Sequence, residues 1–129
     1  MDTRPKIIEP AALEELVARL RAKGSRLKVV TGHFDVLVAE HLRRLREIRD
    51  GSSELIIVVT EPPAPLLPAR ARAELVASLG MVDYVVPAGE QATRELLTHF
   101  AADEIVREET ADLLRARRLV EHVQRQNQQ

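Results

Sequence analysis

The sequence predicts an α/β domain in three layers, a parallel sheet with helices on both faces, preceded by an extra N-terminal helix. Three observations predict it. Strand-like apolar runs alternate with helix-period segments as β-α-β-α-β-α-β-α, the pattern that builds parallel sheets through right-handed crossovers. The run Leu55-Ile56-Ile57-Val58-Val59-Thr60 has no polar interruption, as a strand covered on both faces requires. Residues 28–50 (KVVTGHFDVLVAEHLRRLREIRD) read as a strand that empties through a glycine turn onto a helix.

Residues 1–10 are expected to be a flexible tail. Residues 11–23 place Leu13, Leu16, Val17 and Leu20 at helical spacing, with Gly24 as the stop. The first strand carries Leu27, Val29 and Val30, turns on Thr31 and Gly32, and passes through His33, Phe34 and Asp35. The helix that follows, over 38–49, should bury Leu42, Leu45 and Ile48. Arg43, Arg44, Arg46 and Glu47 then fall outward, so the basic run RRLR reads as a solvated face. After the strand at 55–60 comes EPPAPLLPAR, whose four prolines among residues 62–68 exclude regular helix and inner strand. It is a stiff loop, either a surface connection or one wall of a crevice at the C-terminal end of the sheet.

Residues 70–79 form the next helix, closed by Gly80, and 82–86 the third strand. Residues 89–100 are helical with Leu96, Leu97 and Phe100 inward, and 102–107 form a weaker strand. The last helix, over 110–124, aligns Leu113, Ala116, Val120 and Val123 on one stripe, and 125–129 are expected to be a second flexible tail.

At 129 residues the chain is expected to be one domain spanning 1–129. With 19 basic and 20 acidic side chains the net charge is −1, which argues neither for nucleic acid nor for an acidic partner, and no nucleic-acid partner is expected. The aromatics are Phe34, Tyr84 and Phe100, too few for base stacking along a single strand. Without cysteine there is no disulfide and no zinc-thiolate site. His99 and His122 have no second ligand one turn on, so no metal site is expected. No apolar run is long enough to span a bilayer, and MDTRPKIIEP lacks the apolar segment of a signal peptide. No membrane partner and a cytoplasmic location are the expectations.

A strand that feeds a helix N-terminus through a glycine turn presents backbone N–H groups and the positive end of a helix dipole, which favour a phosphate. The residues of that turn, Gly32-His33-Phe34-Asp35-Val36-Leu37-Val38-Ala39-Glu40-His41, resemble the G-x-F-D-x-x-H-x-G-H signature of the cytidylyltransferase-like nucleotidyltransferases. Gly32, Phe34, Asp35 and His41 match. The strand at 55–60, Arg72 ahead of a helix, and Val82-Asp83-Tyr84-Val85-Val86 are similar to the downstream passage of the glycerol-phosphate and heptose-phosphate members. The resemblance, over residues 27–107, implies a Rossmann-like fold of the HUP type with strand order 3-2-1-4. It also implies transfer of CMP or AMP from an NTP with Mg²⁺ to a phosphorylated small molecule, releasing pyrophosphate. By the same resemblance His41 is a catalytic residue, and Thr31, Gly32, Phe34, Asp35 and Arg72 face the nucleotide. A homodimer is compatible with it.

The chain departs from the signature at two positions, because Val38 stands where the family has its first histidine and Glu40 where it has glycine. Loss of one donor to a transferring phosphate costs on the order of 10²–10³ in rate. A carboxylate ~4 Å from a phosphate is repelled by roughly 4 kcal/mol at an effective dielectric of 20. The late Ser/Thr-rich triphosphate motif R-T-x-G-x-S-T-T has no match. The expectation is a degraded active site, a pseudoenzyme that is non-catalytic or binds nucleotide weakly. An active nucleotidyltransferase, using Mg²⁺ with an NTP, and a structural or interaction subunit, using no cofactor, stay open beside it.

Individual residues carry alternatives too. His33 is either a loop histidine or a substitute for the missing imidazole. Asp35 holds the loop by accepting local N–H bonds, or aligns a substrate hydroxyl. Phe34 is expected in the core and Asp83 as a structural acceptor. Arg72 faces the pocket or pairs with Glu74 or Asp83. His41 is the second donor or a packed relic. The acidic group Asp103, Glu104, Glu108, Glu109 and Asp112 reads as solvated surface, partly favourable at the start of the last helix.

Overall fold

The structure, a computed structural model, describes residues 4–35, 37, 39–49, 51 and 53–127. Val38 therefore lies outside the described residues, as do residues 1–3, 128 and 129 of the expected tails. Four parallel strands, β1 (Arg26–Gly32), β2 (Ser53–Val59), β3 (Tyr84–Pro87) and β4 (Ile105–Arg107), form one sheet in the order β3-β2-β1-β4. This is the order that the resemblance implies. It places β1 inside the sheet, with the chain leaving β2 on one side and β4 on the other.

Helices α1 (Pro10–Ala22) and α4 (Glu90–Leu97) cover one face, α2 (Ala39–Ile48) and α3 (Ala69–Ala77) the other. Successive β2 side chains alternate between them. Leu55, Ile57 and Val59 pack with Leu45, Val76 and Val85, while Ile56 and Val58 pack with Leu13, Leu20 and Leu96. Both faces are apolar here, which is why Leu55 to Val59 carry no polar residue. α1 stops where expected: Gly24 has φ +77°, and Ser25 N–H returns to the Leu20 carbonyl at 3.1 Å.

The expected N-terminal tail is largely tied down. Arg4–Lys6 make a 3₁₀ turn, Ile7 bridges Val85, and Ile8 N–H donates to the Val85 carbonyl at 2.9 Å. The two isoleucines straddle the edge of β3, one packed against each core. At the other end α5 (Glu109–Asn127) continues through most of the expected C-terminal tail.

Two strands are shorter than expected, and in each case an acid terminates the ladder. Asp83 accepts the Leu55 N–H at 2.8 Å, so β3 begins at Tyr84, two residues later than expected; this is the structural role expected of it. Glu104 accepts the Ala101 N–H at 2.8 Å and pairs with Arg21 at 2.9 Å, holding Ala102–Glu104 in a 3₁₀ turn ahead of β4. That pairing keeps the Glu104 carboxyl below its ordinary pKa, with the Arg21 hydrogen bond the largest cause.

The largest correction concerns α5. Its expected stripe does not reach the core: Leu113, Val120 and Val123 are exposed. The side turned to the body carries Asp112, with Arg115 and Leu119 half-buried. One residue on a helix is a turn of 100°, so the polar register won over the apolar one. In α2 the same exchange occurs, since Leu42 is half-buried and His41 takes the inward position beside Leu45 and Ile48.

Candidate functional site

The site lies at the C-terminal ends of β1, β2 and β4, where the chain leaves the sheet three times. Thr60 N–H donates to the Gly32 carbonyl at 2.8 Å and Glu108 N–H to the Thr31 carbonyl at 2.7 Å, drawing the ends of β2 and β4 around the end of β1. At the turn Phe34 has φ +49°, in the left-handed region that a bulky residue seldom adopts. Burial of its ring beside Val30 and Leu45 offsets that strain and holds the turn.

This conformation aims two successive backbone N–H groups at one point, the arrangement that forms an anion nest. Asp112 fills the nest. Its Oδ2 accepts the N–H of His33 at 2.8 Å and that of Phe34 at 3.3 Å. Its Oδ1 accepts Nε2 of His41 at 2.7 Å and a guanidinium N–H of Arg115 at 2.9 Å. The carboxylate is buried, as is His41, whose ring tilts against Phe34 at 5.4 Å between centroids. Burial acts to raise the Asp112 pKa. The hydrogen bond and charge of His41, with the N–H groups of Phe34 and His33, outweigh it and hold the carboxyl below its ordinary value.

Gly32 allows this approach. A Cβ on it would stand 2.6 Å from Asp112 Oδ2 and 2.7 Å from the Phe34 ring. The glycine expected to admit a phosphate therefore admits a side-chain carboxylate. Asp112 was expected on a solvated surface, and the acidic group is corrected for Glu108 as well, which is buried and accepts Nε of Arg44 at 2.6 Å. Arg44, half-buried in the basic run, is tied to Glu108, whose hydrogen bond raises its pKa.

The other sequence-derived residues surround this centre. Asp35 holds the proline-rich loop, accepting N–H groups of Leu66 at 2.7 Å and Leu67 at 2.9 Å. Arg72 is fully buried and pairs with neither Glu74 nor Asp83. Its guanidinium donates to the carbonyls of Leu67, His33 and Thr60 and to the Glu61 carboxylate, at 2.7 to 3.0 Å. It lines neither neighbouring cleft and splints the turn to the end of β2. Thr31 is buried, with its hydroxyl against Arg107 Nε at 3.2 Å. Glu40, expected to project at a bound triphosphate, is drawn aside to Arg115 at 3.2 Å and Arg118 at 3.9 Å.

His33 stands between two clefts, its Nδ1 3.1 Å from Thr60 Oγ1. The first, of about 380 Å³, has apolar walls from Pro62, Pro63 and Leu66 of the loop and Leu113, Ala116 and Val120 of α5, with His41 and Asp112 at its base. The second, of about 350 Å³, is polar and includes Thr60, Glu61, Arg94, Arg107 and Glu109. Burial acts to raise the Glu109 pKa, but hydrogen bonds from Arg107 and Thr31 bring it below the ordinary value. Among the described residues no group of three or more His, Asp or Glu is placed to hold a metal ion. No described helix is long and apolar enough to cross a membrane.

Asp112, Arg115 and Glu108 were missed by sequence reasoning. The available signal was a second helical register, 108-112-115-119, interleaved with the apolar one; weighting only hydrophobic positions hid it.

No family model matches the chain. It is similar to curated proteins named Bifunctional protein HldE. The relative from Vibrio atlanticus (strain LGP32) is 34% identical over 106 residues, 75% of this chain and 22% of the relative. That from Vibrio parahaemolyticus serotype O3:K6 is 30% identical over 115 residues, 82% of this chain and 24% of the relative. That from Gluconacetobacter diazotrophicus is 29% identical over 116 residues, 83% of this chain and 24% of the relative. The chain thus spans under a quarter of the length of each of these relatives.

Proposed function

The chain belongs to the cytidylyltransferase-like nucleotidyltransferases, and from that premise we propose that its phosphate site is filled by its own Asp112. On this reading it is a pseudoenzyme, non-catalytic or binding nucleotide or a phosphorylated small molecule only weakly, and serves as a binding or interaction module in the cytoplasm. The observation that carries it is the Asp112 carboxylate seated on the N–H groups of His33 and Phe34 and on His41.

The chemistry explains why. Nucleotidyl transfer is helped mainly by positioned donors and cations at the transferring phosphate. Two turn N–H groups, an imidazole and a guanidinium are such a set, and here all four bond to one internal anion. A triphosphate must displace that anion or share the nest with it. Sharing at ~4 Å and an effective dielectric of 20 is repulsive by roughly 4 kcal/mol, about three decades in affinity. The family's first histidine is also replaced, by Val38.

A second reading has its own observation. Glu40 is held by Arg115 away from both clefts, and His33 borders both, so an active enzyme would reach phosphate with His33 after Asp112 moved. It would transfer CMP or AMP from an Mg²⁺-bound NTP to a phosphorylated acceptor. Calorimetric titration of ATP and CTP with Mg²⁺ into wild type, Asp112→Ala and His33→Ala separates the two. Our reading expects negligible heat for wild type and His33→Ala, with binding gained in Asp112→Ala. Micromolar binding by wild type, with pyrophosphate release abolished in His41→Ala, establishes the enzyme instead.

A further inference from the structure

We propose that the first cleft binds a small uncharged ligand, an apolar body carrying one hydroxyl, with that hydroxyl on Nε2 of His33. This rests on Asp112 filling the phosphate nest, and it names the class of molecule that the remaining space takes.

The cleft has the build of a ligand pocket. Its volume of about 380 Å³ lies within the range of such sites, roughly 300–1,000 Å³. One wall is Pro62, Pro63 and Leu66, the other Leu113, Ala116 and Val120. Leu66, Leu113 and Val120 are exposed, so an apolar body between the walls takes their surface out of water. Both walls are held before anything binds. Asp35 fastens the proline-rich loop through the N–H groups of Leu66 and Leu67, and Arg72 donates to the Leu67 carbonyl. Across the cleft Asp112 ties α5 to the turn, and Arg115 ties it to Glu40 of α2. Walls already in place need little ordering when a ligand enters.

The charged groups around the cleft select against an ionic ligand. A carboxylate offers about four lone-pair positions, and those of Asp112 are taken by the N–H groups of His33 and Phe34, by His41 and by Arg115. None of these donors is left for an anion, and no acceptor position on Asp112 is left for a cation. Asp35 is spent on the two loop N–H groups, and Arg117 and Glu121 at the rim are exposed and opposite in sign. The polar atom that remains is Nε2 of His33. The side chain is buried at 8% exposure, and its Nδ1 is turned to Thr60, which lines the second cleft and not the first. Nε2 has no partner among the described residues, yet it is not sealed inside protein. A hydroxyl both donates and accepts, so it satisfies Nε2 in either tautomer of the ring.

Calorimetric titration of the full chain with 2-naphthol, naphthalene and 2-naphthyl phosphate tests the assignment, because the three probes share one ring system and differ only in the polar group. 2-Naphthol should bind at one site per chain. Naphthalene should bind roughly two- to tenfold more weakly for want of one hydrogen bond, and 2-naphthyl phosphate should not bind. Val120→Glu should abolish 2-naphthol binding with an unchanged thermal midpoint, because Val120 is exposed. His33→Ala should bring 2-naphthol down to the affinity of naphthalene. In Asp112→Ala, 2-naphthyl phosphate should bind at the vacated donors. Wild type that takes neither 2-naphthol nor naphthalene, while Asp112→Ala takes 2-naphthyl phosphate, overturns the proposal and leaves the filled nest standing. Wild type that binds 2-naphthyl phosphate as tightly as 2-naphthol overturns both. Undiminished 2-naphthol binding in Val120→Glu, or equal affinity of wild type for 2-naphthol and naphthalene, also overturns the proposal.

Discussion

Replacing Asp112 by alanine should both loosen the domain and open its anion nest. The substitution removes one carboxylate and strands four donors: the N–H groups of His33 and Phe34, the His41 ring and Arg115. Breaking a buried charged pair by deleting one partner costs about 3–5 kcal/mol. Arg115 is half-buried and the first cleft reaches the base of the site, so water relieves part of the penalty. The expected loss is therefore at the lower end, about 3 kcal/mol, or roughly 10 °C in midpoint for a domain of this size. Urea unfolding at neutral pH measures it, with and without millimolar pyrophosphate. Pyrophosphate should restabilise Asp112→Ala by binding the vacated donors, about 2.7 kcal/mol when present at 100 times its Kd, and should leave wild type unchanged. A loss below ~1 kcal/mol, the ordinary range for a surface change, or equal stabilisation of both proteins by pyrophosphate, refutes the reasoning.

Three further outcomes follow from the same geometry. The Asp112 carboxyl is depressed in the folded state, so its contribution is fully present above the unfolded value of about 3.9 and is lost as pH falls through the folded value. The stability gap between wild type and Asp112→Asn should accordingly be constant at mildly acidic pH and close on further acidification in a pH series of urea melts. Gly32→Ala places a Cβ 2.6 Å from Asp112 Oδ2 and should cost about 1–3 kcal/mol as overpacking does, and the same change in an Asp112→Ala background should cost less, as a double-mutant cycle will show. Arg72→Met removes four hydrogen bonds from a fully buried guanidinium, three of them to backbone carbonyls. It should destabilise by about 3–5 kcal/mol and speed hydrogen exchange at Thr60 and in the turn at His33.

Most of the fold was legible because burial on two faces leaves an unmistakable pattern. Leu55 to Val59 admitted only an inner strand, and Gly24 marked the end of α1 without any tertiary information. Strand ends were less legible, since they are set by side chains that compete with the ladder: Asp83 for Leu55 and Glu104 for Ala101. The turn at the end of β1 was also legible from Gly32, Phe34 and Asp35, but Asp35 accepts N–H groups of the proline-rich loop, 31 and 32 residues on, rather than the local ones its short side chain suggested. What fills the turn was not. Asp112 lies 79 residues from His33, on a helix whose apolar positions point elsewhere, and only three-dimensional closure shows that an acid from one end of the chain meets N–H groups near the other. Attention to Glu40 as the disruptive charge was misplaced for a related reason. A half-buried glutamate in the first turn of a helix pairs with an arginine within reach, and α5 supplies Arg115.

The most direct test is to watch the amide resonances of His33 and Phe34 in ¹⁵N-labelled wild type while Mg²⁺-ATP or Mg²⁺-CTP is titrated to millimolar concentration. With Asp112 seated in the nest both signals should stay in place, and they should move saturably in Asp112→Ala. Saturable movement of both in wild type at micromolar nucleotide would mean that the nest is open to phosphate and that its own carboxylate does not occupy it.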